Sequence, residues 1–383
     1  MKKIINYLVK KKTKLKKKEI PLHEPKIDLN DQKEILRSLK TGYVSSVGKN
    51  ISKFEQKLKS ITNSKFVTSV INGTSAIHIA LKVIGVKPFD EVLVPSLSFV
   101  APANAILYLG ATPHFVDSEI NHFGIDARKL ESYLEKNAYI KNNYCYNKKT
   151  NKIIKALIVV HVFGHPAQIS ELLRICKKFK IKVVEDAAEA LGSYYKGRHV
   201  GTFGDMGIIS FNGNKIVTTG SGGAVLTNSK KNYIKLKHIA TTAKINHIWD
   251  FVHSEVGYNY RLANLNASLG ISQLKKLKTF IKHKKKLHKR YEDLLGKSKD
   301  CYILNEPLNC KSNFWLQTLV LKKNSKKNKI KVLSEFHKKR LLARPVWKPL
   351  HKMNYLKKFP RMDLENVNQL ENKIISLPSS HYL

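Results

Sequence analysis

Acidic residues are scarce in this chain of 383 residues, which has 28 aspartates and glutamates against 70 lysines and arginines and a formal net charge of +42. A surface this basic attracts phosphate-bearing molecules, so nucleic-acid binding is one interpretation. The basic residues are spread along the whole chain, however, without a helix-turn-helix, zinc-finger or RNA-binding aromatic signature. We therefore expect no nucleic-acid partner, and we interpret the charge as a lysine-rich solvated surface that favours an anionic substrate.

Cysteines and long apolar runs are also few. The four cysteines (Cys145, Cys176, Cys301 and Cys310) lack the CxxC spacing of a metal site, and although Cys301 and Cys310 could pair, free thiols are the expectation. No apolar run approaches the roughly 18 residues that a membrane span needs, and the apolar patch at 4–9 is too short for a secretory signal. These features predict a cytoplasmic protein with no metal site and no stable membrane association.

The length of the chain allows one large α/β domain and a smaller one. Residues 1–19 form a basic leader, and we expect a mobile tail there. Residues 20–260 alternate apolar strand candidates with helical patterns, which is typical of a buried, mostly parallel sheet, although 128–153 resembles a long polar connection. Residues 261–383 begin with a predicted long helix at 262–297, and the strand candidates beyond it indicate a smaller α+β domain.

One lysine stands out because of its surroundings. Lys215 lies in the run 209–223 (ISFNGNKIVTTGSGG), where an apolar strand-like stretch leads into a polar turn and Ser210 stands five positions before the lysine. A lysine held at such a turn can form a Schiff base with a phosphorylated carbonyl cofactor. Residues 183–189 (VVEDAAE) place a carboxylate at a strand end, where it can hold a protonated pyridine nitrogen. The two segments together predict pyridoxal phosphate (PLP).

A phosphate site is indicated by Gly73, Thr74 and Ser75, which open a helix directly after a strand. Backbone N–H groups at a helix N-terminus, together with the helix dipole, form an anion site. An ordinary N-cap is the alternative, since Thr and Ser are favoured there in any case. Because Ser210 offers a second hydroxyl donor, we favour the phosphate site.

Two more candidates follow apolar strands, where ligands of α/β folds tend to bind. Asp186 is costly to bury unless a cation meets it, and a protonated pyridine nitrogen suits that need. Its neighbours Glu185 and Glu189 leave a solvated carboxylate as the alternative. Phe99 offers an aromatic face that can stack on a flat ring, although a phenylalanine after a strand often belongs to the core.

Three segments together resemble the DegT/DnrJ/StrS sugar aminotransferases: 185–192 (EDAAEALG), 210–223 and 257–261 (GYNYR). The resemblance runs from about residue 20 to the C-terminus. It implies a PLP-dependent aminotransferase of fold type I, with a mixed, mostly parallel sheet in the large domain. It also implies a homodimer whose active sites lie at the subunit interface.

The same resemblance implies roles for single residues. Lys215 would form the internal aldimine, and once released by L-glutamate it would act as the general base. Asp186 would pair with the pyridine nitrogen, Phe99 would stack on the ring, and Glu189 would lie near the ring hydroxyl. The phosphate would be held by Gly73, Thr74, Ser75 and Ser210, and by Asn259 of the partner subunit. The expected substrate-binding residues are Ser45, His161, Arg344 and His351.

Two departures narrow the resemblance. Many members have glutamine in place of Glu189, and many have Gly-Glu-Gly-Gly where residues 220–223 read Gly-Ser-Gly-Gly. Both features fit the aminotransferases of the legionaminic-acid pathway, which are also similar at 42–48, 161–166, 344–351 and 360–364. This subgroup implies amino transfer from L-glutamate to C4 of a nucleotide-linked 4-keto-6-deoxy-N-acetylhexosamine.

Other functions remain open at this point. GDP-perosamine synthases share the Asn-Lys-x-x-Thr-Thr-Gly segment at 214–220, and nothing in the spacing separates a UDP-sugar from a GDP-sugar. Related dehydratases have a histidine in place of the lysine, so Lys215 favours transamination. A non-catalytic relative that binds nucleic acid is a third hypothesis, and the joint presence of Lys215, Asp186 and Ser210 disfavours it.

Overall fold

The computed structural model describes all 383 residues, and helices and strands alternate along most of the chain. The α-helices are α1 (Lys2–Lys14), α2 (Leu29–Lys40), α3 (Lys49–Thr62), α4 (Gly73–Val83), α5 (Ala101–Tyr108), α6 (Ala127–Asn137), α7 (Ile169–Lys178), α8 (Lys230–Ala240), α9 (Asn264–Lys275), α10 (Leu277–Leu295), α11 (Lys326–Lys338) and α12 (Glu365–Leu370). The strands are β1 (Phe66–Val70), β2 (Glu91–Pro95), β3 (Thr112–Val116), β4 (Ala138–Lys141), β5 (Tyr144–Asn147), β6 (Ile154–Val160), β7 (Lys182–Asp186), β8 (Tyr194–Tyr195), β9 (Arg198–His199), β10 (Met206–Ser210), β11 (Gly223–Thr227), β12 (Cys301–Ile303), β13 (Cys310–Lys311), β14 (Gln317–Leu321), β15 (Arg344–Pro345) and β16 (Ile374–Leu377).

A seven-stranded sheet forms the centre of the molecule, with the strand order β1-β11-β10-β7-β6-β2-β3. Neighbouring strands are parallel from β10 to β3, and β11 alone runs antiparallel to both of its neighbours. Strand β6 is an almost continuous apolar run and is buried on both faces, as expected for a central parallel strand. The predicted α/β class with a mixed, mostly parallel sheet is confirmed.

The direction of the strands brings the candidate residues together. The carboxyl ends of parallel strands share one edge of a sheet, which is where α/β folds bind ligands. Strand β7 ends at Asp186, β10 ends at Ser210 and leads to Lys215, and β2 leads to Phe99. The turn after β1 enters α4 at Gly73 on the same edge.

A second, four-stranded antiparallel sheet follows α10, with the order β12-β14-β16-β15. Its apolar side chains form a separate core with α10 and α11, including Leu319, Ile375, Leu287 and Phe336. The predicted α+β character of this region is therefore confirmed. The domain boundary at residue 260 stays a prediction.

The expected mobile leader is wrong for most of its length, because residues 2–14 form the helix α1. Ile4, Ile5 and Leu8 lie on one face of this helix and are buried in the core of the C-terminal sheet. The ring of Tyr7 meets the ring of Tyr291 edge to face, with centroids 6.4 Å apart. Burial of these apolar side chains holds α1 against the core although the helix has many lysines, because the lysines face away from the core.

Two further expectations need correction. The region 128–153 is an ordered helix and hairpin: Leu130 and Leu134 bury one face of α6, and Asn142 and Asn143, both with positive φ, form the tight turn between β4 and β5. The single long helix expected at 262–297 is two helices, which meet at Lys276.

None of the helices is both long and apolar enough to cross a membrane. All four cysteine thiols are unpaired.

Candidate active site

A cavity of about 750 Å³ opens at the carboxyl edge of the large sheet. Its walls come from the sheet edge on one side and from the segments at 315–316 and 344–348 on the other. Eight of the predicted site residues line it: Gly73, Thr74, Phe99, Asp186, Glu189, Ser210, Lys215 and Arg344. The prediction of a shared site at this edge therefore agrees with the geometry.

Lys215 projects into this cavity from the turn after β10. The backbone N–H of Lys215 donates to the carbonyl of Asn212 at 3.0 Å, which fixes the turn, and the side chain is only 14% exposed. Its Nζ lies 3.4 Å from Oε1 of Glu189 and 4.1 Å from the centre of the Trp315 ring. A carboxylate and an aromatic face thus hold the amine of Lys215 in the cavity that Asp186 also lines.

Asp186 is the carboxylate that faces the cavity from the end of β7. Its Oδ1 accepts a hydrogen bond from the N–H of Ala188 at 3.1 Å. Burial raises the pKa of Asp186, and this effect outweighs the opposing influence of the Ala188 N–H and of Lys215. A buried carboxyl with so little compensation is suited to a cationic partner such as a protonated pyridine nitrogen.

Glu185 points to the opposite face of β7, since side chains alternate along a strand. It is fully buried and accepts hydrogen bonds from the N–H groups of Gly201, Phe203 and Gly204. Burial acts to raise the pKa of Glu185, but His161 and these N–H groups outweigh burial and hold it below its ordinary value. Glu185 is therefore a structural carboxylate, which removes the ambiguity that its position beside Asp186 created.

Glu189 occupies the cavity wall beside Lys215. Its Oε2 accepts the backbone N–H of Phe163 at 2.9 Å, and burial raises the pKa of Glu189 while the Lys215 amine opposes that rise. Phe163 adopts a left-handed backbone conformation (φ 55°), which is uncommon for a phenylalanine. This conformation turns its N–H toward Glu189, so the carboxylate is fixed from two sides.

The turn between β1 and α4 forms a cradle for an anion. Oδ1 of Asn72 accepts the N–H of Ser75 at 2.8 Å, whereas the first N–H groups of a helix, here those of Gly73 and Thr74, have no partner within the helix. A Cβ on Gly73 would lie 3.1 Å from Cβ of Ser210, so glycine keeps the space between the helix and this hydroxyl open. A Cβ on Gly223 would lie 2.4 Å from the carbonyl oxygen of Asn72, so this close approach requires glycine as well.

These features fit PLP. The cradle suits the phosphate, Asp186 suits the ring nitrogen, Lys215 suits the aldehyde, and the 54%-exposed ring of Phe99 is available at the cavity wall for stacking. No cluster of three or more His, Cys, Asp or Glu side chains in the chain has the arrangement of a metal site.

A model of the DegT/DnrJ/EryC1/StrS aminotransferase family matches residues 25–383. The chain belongs to this family. The GDP-perosamine synthase of Escherichia coli O157:H7 is 33% identical over 363 residues, which cover 94% of this chain and 93% of that protein. The UDP-4-amino-4,6-dideoxy-N-acetyl-beta-L-altrosamine transaminase of Campylobacter jejuni strain 81-176 is 36% identical over 252 residues, which are 66% of this chain and 63% of that protein.

A solved structure agrees with these relatives. PseC of Helicobacter pylori, an aminotransferase involved in the biosynthesis of pseudoaminic acid, has a TM-score of 0.85 and 27% identity, with 94% of both chains covered. The predicted family, the fold of PLP-dependent aminotransferases and the PLP cofactor are thereby confirmed. The protein is a PLP-dependent sugar aminotransferase.

Three predicted residues of this DegT-family enzyme do not reach the cavity in the same chain. The imidazole of His161 is fully buried: its Nδ1 accepts the N–H of Ala167 at 3.1 Å, which leaves Nε2–H to donate to Glu185 at 3.2 Å. His351 is buried against Ser96, with Nδ1 2.7 Å from the Ser96 hydroxyl. Ser75 is buried in the first turn of α4, where only its backbone joins the cap. These three side chains therefore do not line the cavity of their own chain, and their roles stay predictions.

Ser45 and Asn259 lie on the surface, away from the cavity of their own chain. Ser45 belongs to an exposed loop, and its carbonyl accepts the N–H of Asn264 at 2.6 Å. Asn259 pairs through its backbone with Thr241 and stands between Tyr258 and Tyr260, whose rings stack 5.1 Å apart. Both positions are compatible with a contribution to a second subunit.

Sequence reasoning did not single out three aromatic residues of the DegT-family site. Trp315 covers Lys215, and Trp347 packs against Phe163 with ring centres 5.0 Å apart; all three rings line the cavity. The chain has only three tryptophans, and two of them lie in segments that the sequence assigned to strands. The rarity of tryptophan in this chain could have marked these two residues as candidates for the site. Lys348, which adds a second cation beside Arg344, was also missed.

Proposed function

We propose that the enzyme transfers an amino group from L-glutamate to C4 of a UDP-linked 4-keto-6-deoxy-N-acetylhexosamine. The observation that carries this proposal is the position of the Lys215 amine, inside a cavity that also contains Asp186 and the anion cradle. The cofactor would bind at this amine, and the released amine would then transfer protons for the amino donor and for the keto-sugar. The product would serve the synthesis of surface glycans or of a nonulosonic acid of the legionaminic type.

Each residue would have a defined part in the reaction. PLP, when bound, supplies an electron-withdrawing ring that accepts the electron density released at the reacting carbon. Asp186 would keep the ring nitrogen protonated, and Thr74, Ser210 and the N-terminus of α4 would hold the phosphate. Phe99 would stack on the ring and exclude water. The amine of Lys215 would remove the proton from Cα of glutamate and later deliver a proton at C4 of the sugar.

The cations at the cavity wall support an anionic nucleotide sugar. Arg344 and Lys348 are exposed and line the cavity beside Trp347. A guanidinium and an ammonium group are suited to a diphosphate, and an indole face is suited to a base or a sugar ring. The UDP-sugar named in the Campylobacter relative and the GDP-sugar named in the Escherichia relative both belong to this chemical class.

GDP-perosamine synthesis is the second candidate, and a specific observation favours it. The GDP-perosamine synthase of Escherichia coli aligns with 94% of this chain, whereas the UDP-sugar transaminase of Campylobacter aligns with 66%. The Gly-Ser-Gly-Gly segment and Glu189 are the features that support the UDP-sugar.

A comparison of two substrates tests the choice. Each keto-sugar, the UDP-linked 4-keto-6-deoxy-N-acetylhexosamine and GDP-4-keto-6-deoxymannose, is incubated with L-glutamate, and formation of 2-oxoglutarate is followed. We expect turnover with the UDP-sugar at a kcat/KM at least tenfold higher. Turnover with the GDP-sugar alone would overturn the proposal that the substrate is a UDP-sugar. Turnover with neither sugar would overturn the proposed function. The Lys215→Ala variant is the matched negative control.

We also propose a homodimer in which Asn259 of one subunit reaches the phosphate in the other. The segment before Asn259 supports this proposal, because it exposes large apolar side chains that a monomer would leave in water: Ile248, Trp249, Phe251 and Val256 are each at least 72% exposed. Mixing inactive Lys215→Ala and Asn259→Ala proteins should restore activity through hybrid dimers with one intact site. No recovery after subunit exchange would contradict the shared site.

A cytoplasmic location remains our prediction. Nucleotide-sugar chemistry and four free thiols are consistent with it.

A further inference from the structure

Lys284, in the middle of α10, is a lysine in an unusual environment. It is fully buried in a chain whose other lysines mostly face solvent, and it forms no ion pair. Its Nζ donates to two backbone carbonyl oxygens, that of Trp315 at 2.8 Å and that of Ser379 at 2.6 Å. The side chain therefore ties the segment before β14 to the segment after β16.

The two carbonyl oxygens satisfy the donors of Lys284 in place of an acidic partner. Burial lowers the pKa of Lys284 well below its usual range. Lys284 is thus a buried cross-link between the two segments, and it uses the length of the lysine side chain and two of its N–H donors.

One end of this link is the residue that covers the catalytic amine. Trp315 is held at two further points: its N–H donates to Oδ1 of Asn313 at 2.8 Å, and its indole Nε1–H donates to the carbonyl of Asn214 at 2.8 Å. The indole face then lies 4.1 Å from Nζ of Lys215. The indole covers one side of the amine at this distance, so the placement of Trp315 controls the access of reagents to Lys215.

We propose that Lys284 is a positioning residue that fixes Trp315 over the amine of Lys215. The inference rests on the proposed role of Lys215, but it concerns the environment of that amine and applies to the cofactor-free protein. Lys284 touches neither Lys215 nor the cavity. Its influence passes through the Trp315 backbone.

Neighbouring contacts would keep the surrounding structure intact if Lys284 were changed. One turn along α10, Nδ1 of His288 lies 3.0 Å from Oε1 of Gln317, and the hydroxyl of Tyr291 donates to the carbonyl of Pro378 at 2.7 Å. These bonds anchor the same two segments on the far side of Lys284. A substitution at Lys284 should therefore displace Trp315 locally while β14 and β16 keep their places.

Lys284→Met tests the proposal, because methionine keeps an unbranched apolar stem, one atom shorter than lysine, but has no donor. The matched control is Lys285→Met, which removes an exposed lysine from the same turn. Cofactor-free proteins are treated briefly with acetic anhydride, and the acetylation rate of each lysine is measured by peptide mass spectrometry. We expect Lys215 to react roughly three- to tenfold faster in Lys284→Met, because the indole no longer covers its amine. Other lysines should be unchanged.

A second measurement separates positioning from general damage. In Lys284→Met the affinity for PLP should stay within twofold, since Asp186 and the phosphate cradle are untouched, while kcat falls about tenfold or more. Trp315→Leu alone should produce the same faster acetylation, and the double variant should show no further increase. An unchanged acetylation rate in Lys284→Met or in Trp315→Leu, an equal effect in Lys285→Met, or additive effects in the double variant would overturn the proposal.

Discussion

Oε1 of Glu189 lies 3.4 Å from Nζ of Lys215, so the amine of this aminotransferase has a carboxyl group beside it. The second oxygen of this carboxyl is held by the N–H of Phe163, which prevents Glu189 from turning away. Burial raises the pKa of Glu189 above its ordinary value of 4.5, with Lys215 opposing the rise. Because the pKa is raised, the carboxyl remains protonated to a higher pH than an exposed glutamate and ionises as the pH rises through the shifted value.

Glu189→Gln should therefore change the pH dependence of the reaction more than its maximum rate. We expect the variant to bind PLP and to remain active, while the acidic limb of its profile of kcat/KM against pH loses the step that Glu189 contributes. The control is Glu171→Gln, at an exposed glutamate of α7. If the acidic limbs of the wild type and of Glu189→Gln superimpose, Glu189 does not titrate in the reaction.

Asp186→Asn should separate cofactor binding from turnover. The phosphate cradle and Lys215 are unchanged in this variant, so PLP should still bind, but the ring nitrogen loses the carboxylate that keeps it protonated. Loss of one such electrostatic contact typically costs about a hundredfold or more in kcat. The measurement is kcat for 2-oxoglutarate formation, with the exposed Asp293→Asn on α10 as the control. Near-wild-type turnover in Asp186→Asn would refute its assigned role.

Much of this site could be predicted because its residues follow strands whose order and direction the pattern indicates. Asp186, Ser210, Lys215 and Gly73 each stand where an apolar run ends, and parallel strands bring such ends to one edge. Glu185 and Asp186 are neighbours on β7, where successive side chains point to opposite faces of the sheet. This alternation directs Asp186 to the cavity and Glu185 away from it.

The remaining features depend on contacts between distant parts of the chain. Trp315 contacts Lys215 although the two residues are 100 positions apart in the sequence. Lys284 contacts the backbone of Trp315 from helix α10. His161 was expected at the substrate, but the turn after β6 buries its ring against Glu185 and presents Phe163 to the cavity instead. The leader was misjudged because its lysines dominate the composition, although three apolar residues on one face were enough to dock it as α1.

Leu8→Ala tests that docking. Leu8 projects from α1 into the C-terminal core and is fully buried there. Removing most of its side chain should therefore lower the free energy of unfolding by about 2–5 kcal/mol. Lys10→Ala, on the exposed face of the same helix, should change it by less than about 0.5 kcal/mol. Urea unfolding at one fixed protein concentration measures both values. Equal stability of Leu8→Ala and the wild type would mean that α1 is not docked in solution.

His199 should make the fold sensitive to acid. Its Nε2 accepts the N–H of Gly192 at 2.8 Å, and burial lowers the pKa of His199 from 6.5 to about 4. Below pH 6.5 the unfolded chain binds a proton at this residue that the folded chain does not, so stability should fall as the pH drops from about 6.5 to about 4. The full loss from this residue is about 3 kcal/mol.

The measurement compares urea unfolding at pH 7, 5.5 and 4 in the wild type and in His199→Gln. The variant should lose less stability than the wild type over this range, because it lacks the titrating group. His247→Gln, at an exposed histidine, is the control and should follow the wild type. Parallel curves for the wild type and His199→Gln would show that His199 does not contribute to the acid sensitivity.

The central claim, that Lys215 carries PLP, is tested most directly by trapping the linkage. The PLP-loaded enzyme is reduced with borohydride and digested, and the pyridoxyl group is located by peptide mass spectrometry, which is essential in a chain with so many lysines. We predict a visible band at ~420 nm before reduction, as is general for PLP–lysine imines. After reduction, we predict close to one pyridoxyl group per chain on Lys215, and neither the band nor this label in Lys215→Ala. Stoichiometric labelling of another lysine, or a band that persists in Lys215→Ala, would contradict the account.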